Sequence, residues 1–319
     1  MFAPSHILLY SQPELNQDSA LRQARQLCLA FGARLTVMTV LREPSVHWRF
    51  STRLPDAATL KNRLREQADN ELTALADDFG TQGIDATAYV AFGKPLVEVV
   101  RRVQSESVDL IVLAGETPDL EHRLLGSLAQ HLIRKAPCPV WVVRRGVHQP
   151  PRQLLAAVDL NQDDPGDESN KRRSLNPHII ETADAIRDRL QTACHLVQAS
   201  QLDNESFLQI HGGLDPVAIE RMKKDLARSL LSRLTHLGQT TLGERAAQCQ
   251  IHVEPGPATE VIDRMVRNLD IDLLVLGTLS RSGVAGLLIG NTAESLLQSV
   301  DCSILALKPP GFETPIQPD

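Results

Sequence analysis

The stretch Ile271–Leu297, IDLLVLGTLSRSGVAGLLIGNTAESLL, decides the fold. Its apolar run Leu273–Leu276 is too short for a helix and shows no polar alternation, so it reads as a strand buried on both faces, as in a parallel sheet. The run breaks at Gly277 into a loop holding Ser280, Gly283 and Gly286. A helix start follows at Gly290-Asn291-Thr292-Ala293-Glu294, with Asn291 as the N-cap and Glu294 reaching back as the second half of a capping box. Strand, glycine-bearing loop, helix N-terminus: such a corner leaves backbone N–H groups free to hold an anion.

The same pattern stands earlier in the chain. Val108-Asp109-Leu110-Ile111-Val112-Leu113 matches Ile271-Asp272-Leu273-Leu274-Val275-Leu276, and Leu125-Gly126-Ser127 matches Ile289-Gly290-Asn291. Cys138 matches Cys302, each just ahead of a last strand, and Gly93 with Gly256 and Glu98 with Glu260 fall at nearly the same offset of about 163 positions. Matches recurring in the same order mark two copies of one fold.

Within each copy, strands alternate with helices. The first copy reads as strand His6–Ser11, helix Ser19–Phe31 closed by Gly32, strand Arg34–Leu41, helix Ala57–Phe79, strand Thr87–Phe92, a helix from Pro95 to about Gln104, strand Val108–Leu113, helix Ser127–Lys135 and strand Val140–Val143. A basic, proline-bearing linker, Arg144–Arg152, separates it from the second copy. That copy reads as strand Leu154–Val158 ending at Asp159, a charged, turn-rich insertion over Leu160–Arg173 expected as a mobile surface loop, helix 174–190, strand 194–199, helix 215–237, strand Gln250–Glu254, a helix to about Asn268, the opening stretch, and strand Ser303–Leu307. The expected fold class is α/β: two tandem copies of a parallel, doubly wound sheet with right-handed crossovers. The domains are expected at 1–145 and 150–309, with 310–319 as a disordered tail.

Composition narrows the function classes. The chain has 319 residues, enough for two domains of ordinary size, and its 42% hydrophobic content builds two cores without a run of membrane-span length. The N-terminus MFAPSHILLY lacks a basic region and a signal-peptide core and reads as a first strand; the expected location, from the cysteine usage, is cytoplasmic. Five cysteines, widely spaced and without a CxxC pair, read as core thiols in a reducing compartment rather than metal or redox groups. A net charge of −6 with both signs interspersed, and only two Trp, two Tyr and seven Phe, argue against a nucleic-acid partner. The ten His show no HExxH spacing, so no metal site is expected; no GxSxG elbow is present and no catalytic constellation stands out.

VDLIVL with LLGS, VEPGPATEVI, and IDLLVLGTLSRSGVAGLLIGNTAESLL together resemble the universal stress protein family, duplicated in tandem over essentially the whole chain. The resemblance implies two five-stranded sheets of the adenine nucleotide alpha hydrolase-like fold and an internal pseudo-dimer, because family dimers pair through their last strands; homodimerisation of the whole chain stays open. ATP-binding members carry G-x-x-G-(x)9-G-[S/T] after the fourth strand and an Asp at the end of the first.

Carried over residue by residue, the second copy is a near-match. Asp159 stands at the Asp position, Gly277 at the first glycine, Ser280 where the second glycine belongs, and Gly290 is followed by Asn291 rather than Ser or Thr, with Thr292 next. Ser adopts positive φ less readily than Gly, while Asn291 still offers its N–H to phosphate oxygen. Arg281 is a candidate phosphate contact, with an ordinary exposed loop arginine as the alternative.

The first copy ends its motif well at Gly126-Ser127, yet Ala114 replaces the first glycine, the loop is one residue shorter and it holds Glu116, Asp119 and Glu121 beside His122 and Arg123. Its first strand ends in Tyr10-Ser11-Gln12, with no Asp, so this copy is expected not to bind ATP in the family manner.

Plain helix capping is the alternative at Gly290-Asn291-Thr292, and Ser127 with Gln130 forms the same capping box in the copy expected to be empty. Two functional readings remain: a regulatory module holding ATP or another adenine nucleotide in the second copy, or an interaction scaffold with both sites degenerate that takes an apolar or lipid-like ligand. Enzymatic activity beyond weak ATP hydrolysis is not expected, because no general base or metal ligand set is evident.

Overall fold

The computed structural model describes residues 2–12, 17–43, 57–115, 126–160, 167–202, 207, 212, 215–278 and 290–317. The chain divides into two compact units, one made of Ala3–Pro150 with Phe312–Asp319, the other of Pro151–Gly311 with Met1–Phe2.

In the first unit, strands β1 (His6–Tyr10), β2 (Arg34–Leu41), β3 (Ala86–Phe92), β4 (Leu110–Ala114) and β5 (Val140–Val143) alternate with helices α1 (Asp18–Phe31), α2 (Ala57–Gly80), α3 (Pro95–Glu106) and α4 (Ser127–Lys135). The strands lie in the order β3-β2-β1-β4-β5 and every pair is parallel. The second unit repeats this with β6 (Gln153–Ala157), β7 (Ala193–Ser200), β8 (Cys249–Pro255), β9 (Leu273–Gly277) and β10 (Ser303–Leu307), in the order β10-β9-β6-β7-β8, again all parallel. Its helices are α5 (Asp167–Leu190), α6 (Pro216–Leu242), α7 (Ala258–Asn268) and α8 (Asn291–Ser299), with a short 3-10 turn at Gly243–Gln248.

In each unit the chain builds outward from the central strand, then returns to the other side of it. Because crossovers keep one hand, that reversal sends the first two helices to one face and the last two to the other. Arg25 of α1 accordingly pairs with Asp78 of α2 at 2.6 Å. Covered on both faces, β1, β4, β5 and β10 are buried along their whole length, as the unbroken apolar runs require. Helix ends follow local chemistry: α1 stops at Gly32, whose φ of 68° places it in the left-handed region, with its N–H donating to Cys28 O.

The register aligns the two copies. Ile7 pairs with Leu35 and Leu110, and Leu154 pairs with Cys194 and Leu273. Ser11 N–H donates to Met38 O as Val158 N–H donates to Val197 O. Gln12 therefore occupies the place of Asp159. Likewise Ala114 pairs with Val143 where Gly277 pairs with Leu307.

Four sequence expectations change. Helix α5 begins at Asp167, so 167–173 is helical rather than part of a loop; 161–166 lie outside the described residues. Helix α6 continues past position 237 to Leu242, because Gly238 is buried on the side that faces Ala246 of the 3-10 turn. The partner of Glu98 in the repeat is Val261 rather than Glu260. Gly93 and Gly256, both at positive φ, each precede a helix by two residues, and the side chains packed over them are Glu98 and Val261 respectively. Finally, Asn291 and Ser127 are the first helical residues, not the caps: Gly290 and Gly126 hold the N-cap positions, and neither helix has a side-chain cap hydrogen bond. The N-cap thus falls one residue earlier than the capping boxes read from the sequence place it.

Candidate functional site

In an open parallel sheet, ligands settle beyond the carboxyl ends of the strands where the strand order reverses. In the second unit that reversal lies between neighbouring strands β6 and β9. Asp159 follows β6, and Gly277 ends β9. The loop leaving β9 leads to the N-terminus of α8, so two of the sequence candidates flank the crevice and three more, Gly290, Asn291 and Thr292, open the following helix.

Asp159 is half-buried and its main chain is held on both sides. Its N–H donates to Asn176 Oδ1 at 3.1 Å, and Asn176 Nδ2 donates back to Asp159 O at 2.8 Å. The next residue is fixed too: Leu160 N–H donates to Gln198 Oε1 at 2.7 Å, while Gln198 Nε2 donates to Ala199 O at 2.6 Å. Asn176 and Gln198 are both buried and were not singled out by sequence reasoning. An Asn ahead of Pro177 inside a helix was the only available signal for the first.

At the end of β9, Gly277 has a structural reason of its own. A Cβ there would stand 3.0 Å from Leu175 Cγ and 3.4 Å from Ile179 Cδ1, so α5 packs directly on the glycine. Beyond it, Thr278 is buried and returns the chain to β10, its N–H and hydroxyl both donating to Leu307 O at 3.1 and 3.0 Å.

Helix α8 starts from buried Gly290, at φ −59° and ψ 142°, with Glu294 N–H donating to Gly290 O at 2.9 Å. Asn291 and Thr292 are exposed. Glycine at the N-cap brings no capping side chain of its own to this turn, whose N–H groups form the positive end of the α8 dipole. Ser280 and Arg281 lie outside the described residues.

In the first unit the reversal falls between β1 and β4. Gln12 takes the Asp159 place, its N–H donating to Gln17 Oε1 at 3.0 Å, and Gln17 Nε2 donates to Ser11 Oγ at 3.0 Å. Ala114 and Gly115 leave β4, with Gly115 N–H donating to Val143 O at 2.8 Å, and Gly126-Ser127 opens α4 without a side-chain cap. The helix starts are thus alike in the two copies, and the difference rests on Asp159 against Gln12 and Gly277 against Ala114. Glu116, Asp119, Glu121, His122 and Arg123 lie outside the described residues.

The repeated aspartates at the opposite ends of the strands do structural work. Asp109 Oδ2 accepts from Ser5 N–H, the Ser5 hydroxyl and His6 N–H at 2.8, 2.7 and 3.0 Å. Asp272 Oδ2 accepts from Arg152 and Gln153 N–H at 2.7 and 3.1 Å. Each carboxylate thereby satisfies the backbone donors that start the central strand of its unit.

A second polar line crosses β6, β7 and β8. His195 Nε2 lies 3.1 Å from Gln153 Oε1, and His195 Nδ1 lies 3.0 Å from His252 Nε2. With Gln153 Oε1 as acceptor, His195 carries its proton on Nε2 and accepts from His252 Nε2–H, so the His195 ring is neutral. Burial lowers the pKa of both; proximity of His252 lowers that of His195 further, whereas Glu254 partly opposes the shift at His252.

Among the described residues, no group of three or more His, Cys, Asp or Glu is placed to hold a metal ion, and no helix is long and apolar enough to cross a membrane.

The universal stress protein family matches residues 6–144 and 184–308. Universal stress protein E of Escherichia coli (strain K12) is 26% identical over 326 residues, which cover 98% of this chain and 97% of that protein. A functionally unknown protein of Pseudomonas aeruginosa PAO1 superposes with a TM-score of 0.66 at 25% identity, covering 96% of this chain and 93% of that one. A universal stress protein from Archaeoglobus fulgidus DSM 4304 gives a TM-score of 0.65 at 18% identity over 96% of this chain and 99% of that one, a likeness of fold.

Proposed function

The chain belongs to the universal stress protein family, and from that premise we propose that its second unit is a regulatory binding module for ATP or another adenine nucleotide. One observation carries the reading: at the β6–β9 reversal, Asp159, its main chain clamped by Asn176, stands at the same strand end from which the chain leads to an α8 N-terminus with glycine at the N-cap. The positive end of α8 suits a phosphate, and the Asp159 carboxylate suits donors of a ribose or base edge. Gly290, Asn291 and Thr292 would supply the phosphate donors, Ser280 and Arg281 would complete the loop, and Gly126 and Ser127 would remain unliganded in a unit that carries Gln12. We read no catalytic role: weak ATP hydrolysis at most, with the protein acting through binding, in the cytoplasm, as a tandem pair of domains that need not associate further.

Titration calorimetry with ATP tests this. Saturable binding that Asp159→Ala removes is expected; no saturable heat up to roughly millimolar nucleotide, far weaker than a useful site, would sink it.

A second reading is favoured by Leu175. Its side chain packs against the site of the missing Gly277 Cβ, which accounts for the glycine without any phosphate. On this view both sites are degenerate, and the protein is a scaffold or a carrier of an apolar, lipid-like ligand. Native mass spectrometry of the purified chain separates the two: a co-purified nucleotide supports the first, a heavier apolar adduct the second.

A further inference from the structure

Cys194 and Cys249 are direct register partners on the neighbouring parallel strands β7 and β8. Neighbouring strands lie about 4.8 Å apart, within the window of roughly 4.4–6.8 Å between Cα atoms that a disulfide spans. Both residues are buried and both are free thiols. The fold itself does not require sulfur there. The first unit builds the same strand pair with Leu35 and Ala86, which are register partners at the equivalent positions.

The surroundings are charged rather than purely apolar. Asp184 of α5, almost fully buried, is gripped by Arg187 at 2.9 and 3.0 Å and by Arg245. Asp184 and Arg187 both act electrostatically on the two sulfurs. Arg245 sits on the exposed 3-10 turn that leads straight into Cys249. Since β8 pairs with β7 alone among the described strands, its start is the kind of edge segment that opens locally at least cost.

We propose that Cys194 and Cys249 are a redox pair that closes to a disulfide on reaction with a hydroperoxide and reopens with a low-molecular-weight thiol. The pair is asymmetric. Cys249 opens the edge strand directly after the exposed 3-10 turn, whereas Cys194 lies on β7 between two neighbouring strands. Cys249 is accordingly the sulfur that reacts first. Its thiolate attacks the terminal oxygen of the hydroperoxide, breaking the O–O bond; the alcohol leaves and Cys249 becomes a sulfenic acid. Cys194 then attacks the Cys249 sulfur, the S–O bond breaks, and water departs with the Cys194 proton. The balance is two thiols and one hydroperoxide to one disulfide, one alcohol (water when the oxidant is hydrogen peroxide) and one water. Cys28 offers a contrast: burial pushes its thiol up to about 12, and it has no part in the reaction.

The test uses the full chain treated with hydrogen peroxide, then denatured, blocked with a maleimide and mapped as peptides. The expected result is loss of two of the five thiols, a cross-linked peptide joining Cys194 to Cys249, and recovery of all thiols with dithiothreitol. Cys249→Ala, the exchange the first unit already makes, should abolish the loss, and Cys28→Ala should leave it intact. Cys194→Ala should leave Cys249 as a sulfenic acid that dimedone traps. Retention of all five thiols in the wild-type chain, or oxidation confined to other cysteines or to links between chains, overturns the proposal. That wild-type measurement stands even where a variant does not fold.

Discussion

Leu175 Cγ stands 3.0 Å from the point where a Cβ on Gly277 would sit. Helix α5 therefore comes down on the last residue of β9 at a distance only glycine permits. Gly277→Ala should cost about 1–3 kcal/mol of stability, the usual price of overfilling a packed contact. Urea unfolding measures it. Leu175→Ala added to Gly277→Ala should recover part of that loss, because the clashing atoms are gone; strict additivity of the two changes would show that the contact is not the cause.

Asn176 and Gln17 hold equivalent strand exits in the two units, one clamping Asp159 and the other Gln12. If the second unit holds the nucleotide, Asn176→Ala should weaken ATP binding about tenfold, or about 1.4 kcal/mol, by freeing the backbone that aims Asp159. Gln17→Ala should leave ATP affinity unchanged. Calorimetric titration of both variants distinguishes the units, and equal losses would argue against the assignment to the second.

Asp272 takes two backbone N–H groups on one carboxylate oxygen at the start of β6. Asp272→Ala leaves two part-buried backbone donors unmet and should cost about 1 kcal/mol, read in urea melts. Nucleotide affinity should not move, since this end of the strand lies away from the Asp159 end.

His195 and His252 form a chain to Gln153, and burial lowers the pKa of each below the unfolded value of 6.5. Below that value the unfolded chain binds more protons than the native one, so stability rises with pH and is lost as pH falls through and below about 6.5. Chemical denaturation at pH 7.5 and 5.5 should show the drop. His195→Gln should flatten it in part, leaving contributions from His6 and His178, whose pKa values burial also lowers. A pH dependence identical to wild type would remove the pair as a cause.

The element order was open to sequence reasoning because each unit is built from local signals. Apolar runs of five residues, glycine at α1's end and the proline at the start of α3 mark boundaries through backbone sterics alone. The N-cap assignments at Asn291 and Ser127 are one residue late, because Gly and Asn or Ser are both good N-caps and only the backbone angles choose between them.

By itself, the sequence determined that this is a tandem α/β protein with a repeated strand–loop–helix corner and a carboxylate, Asp159, in one copy only. These follow from periodicity, turn chemistry and the internal repeat, all carried by neighbours in the chain. Only the tertiary structure decided what Gly277 is for, that Asn176 and Gln198 hold the exit of β6, and that Cys194 lies against Cys249. Those pairs are brought together by helix packing and by the register of parallel strands, which long crossovers separate in sequence. No spacing within the chain encodes that register; it is fixed when α5 and α6 settle on the sheet.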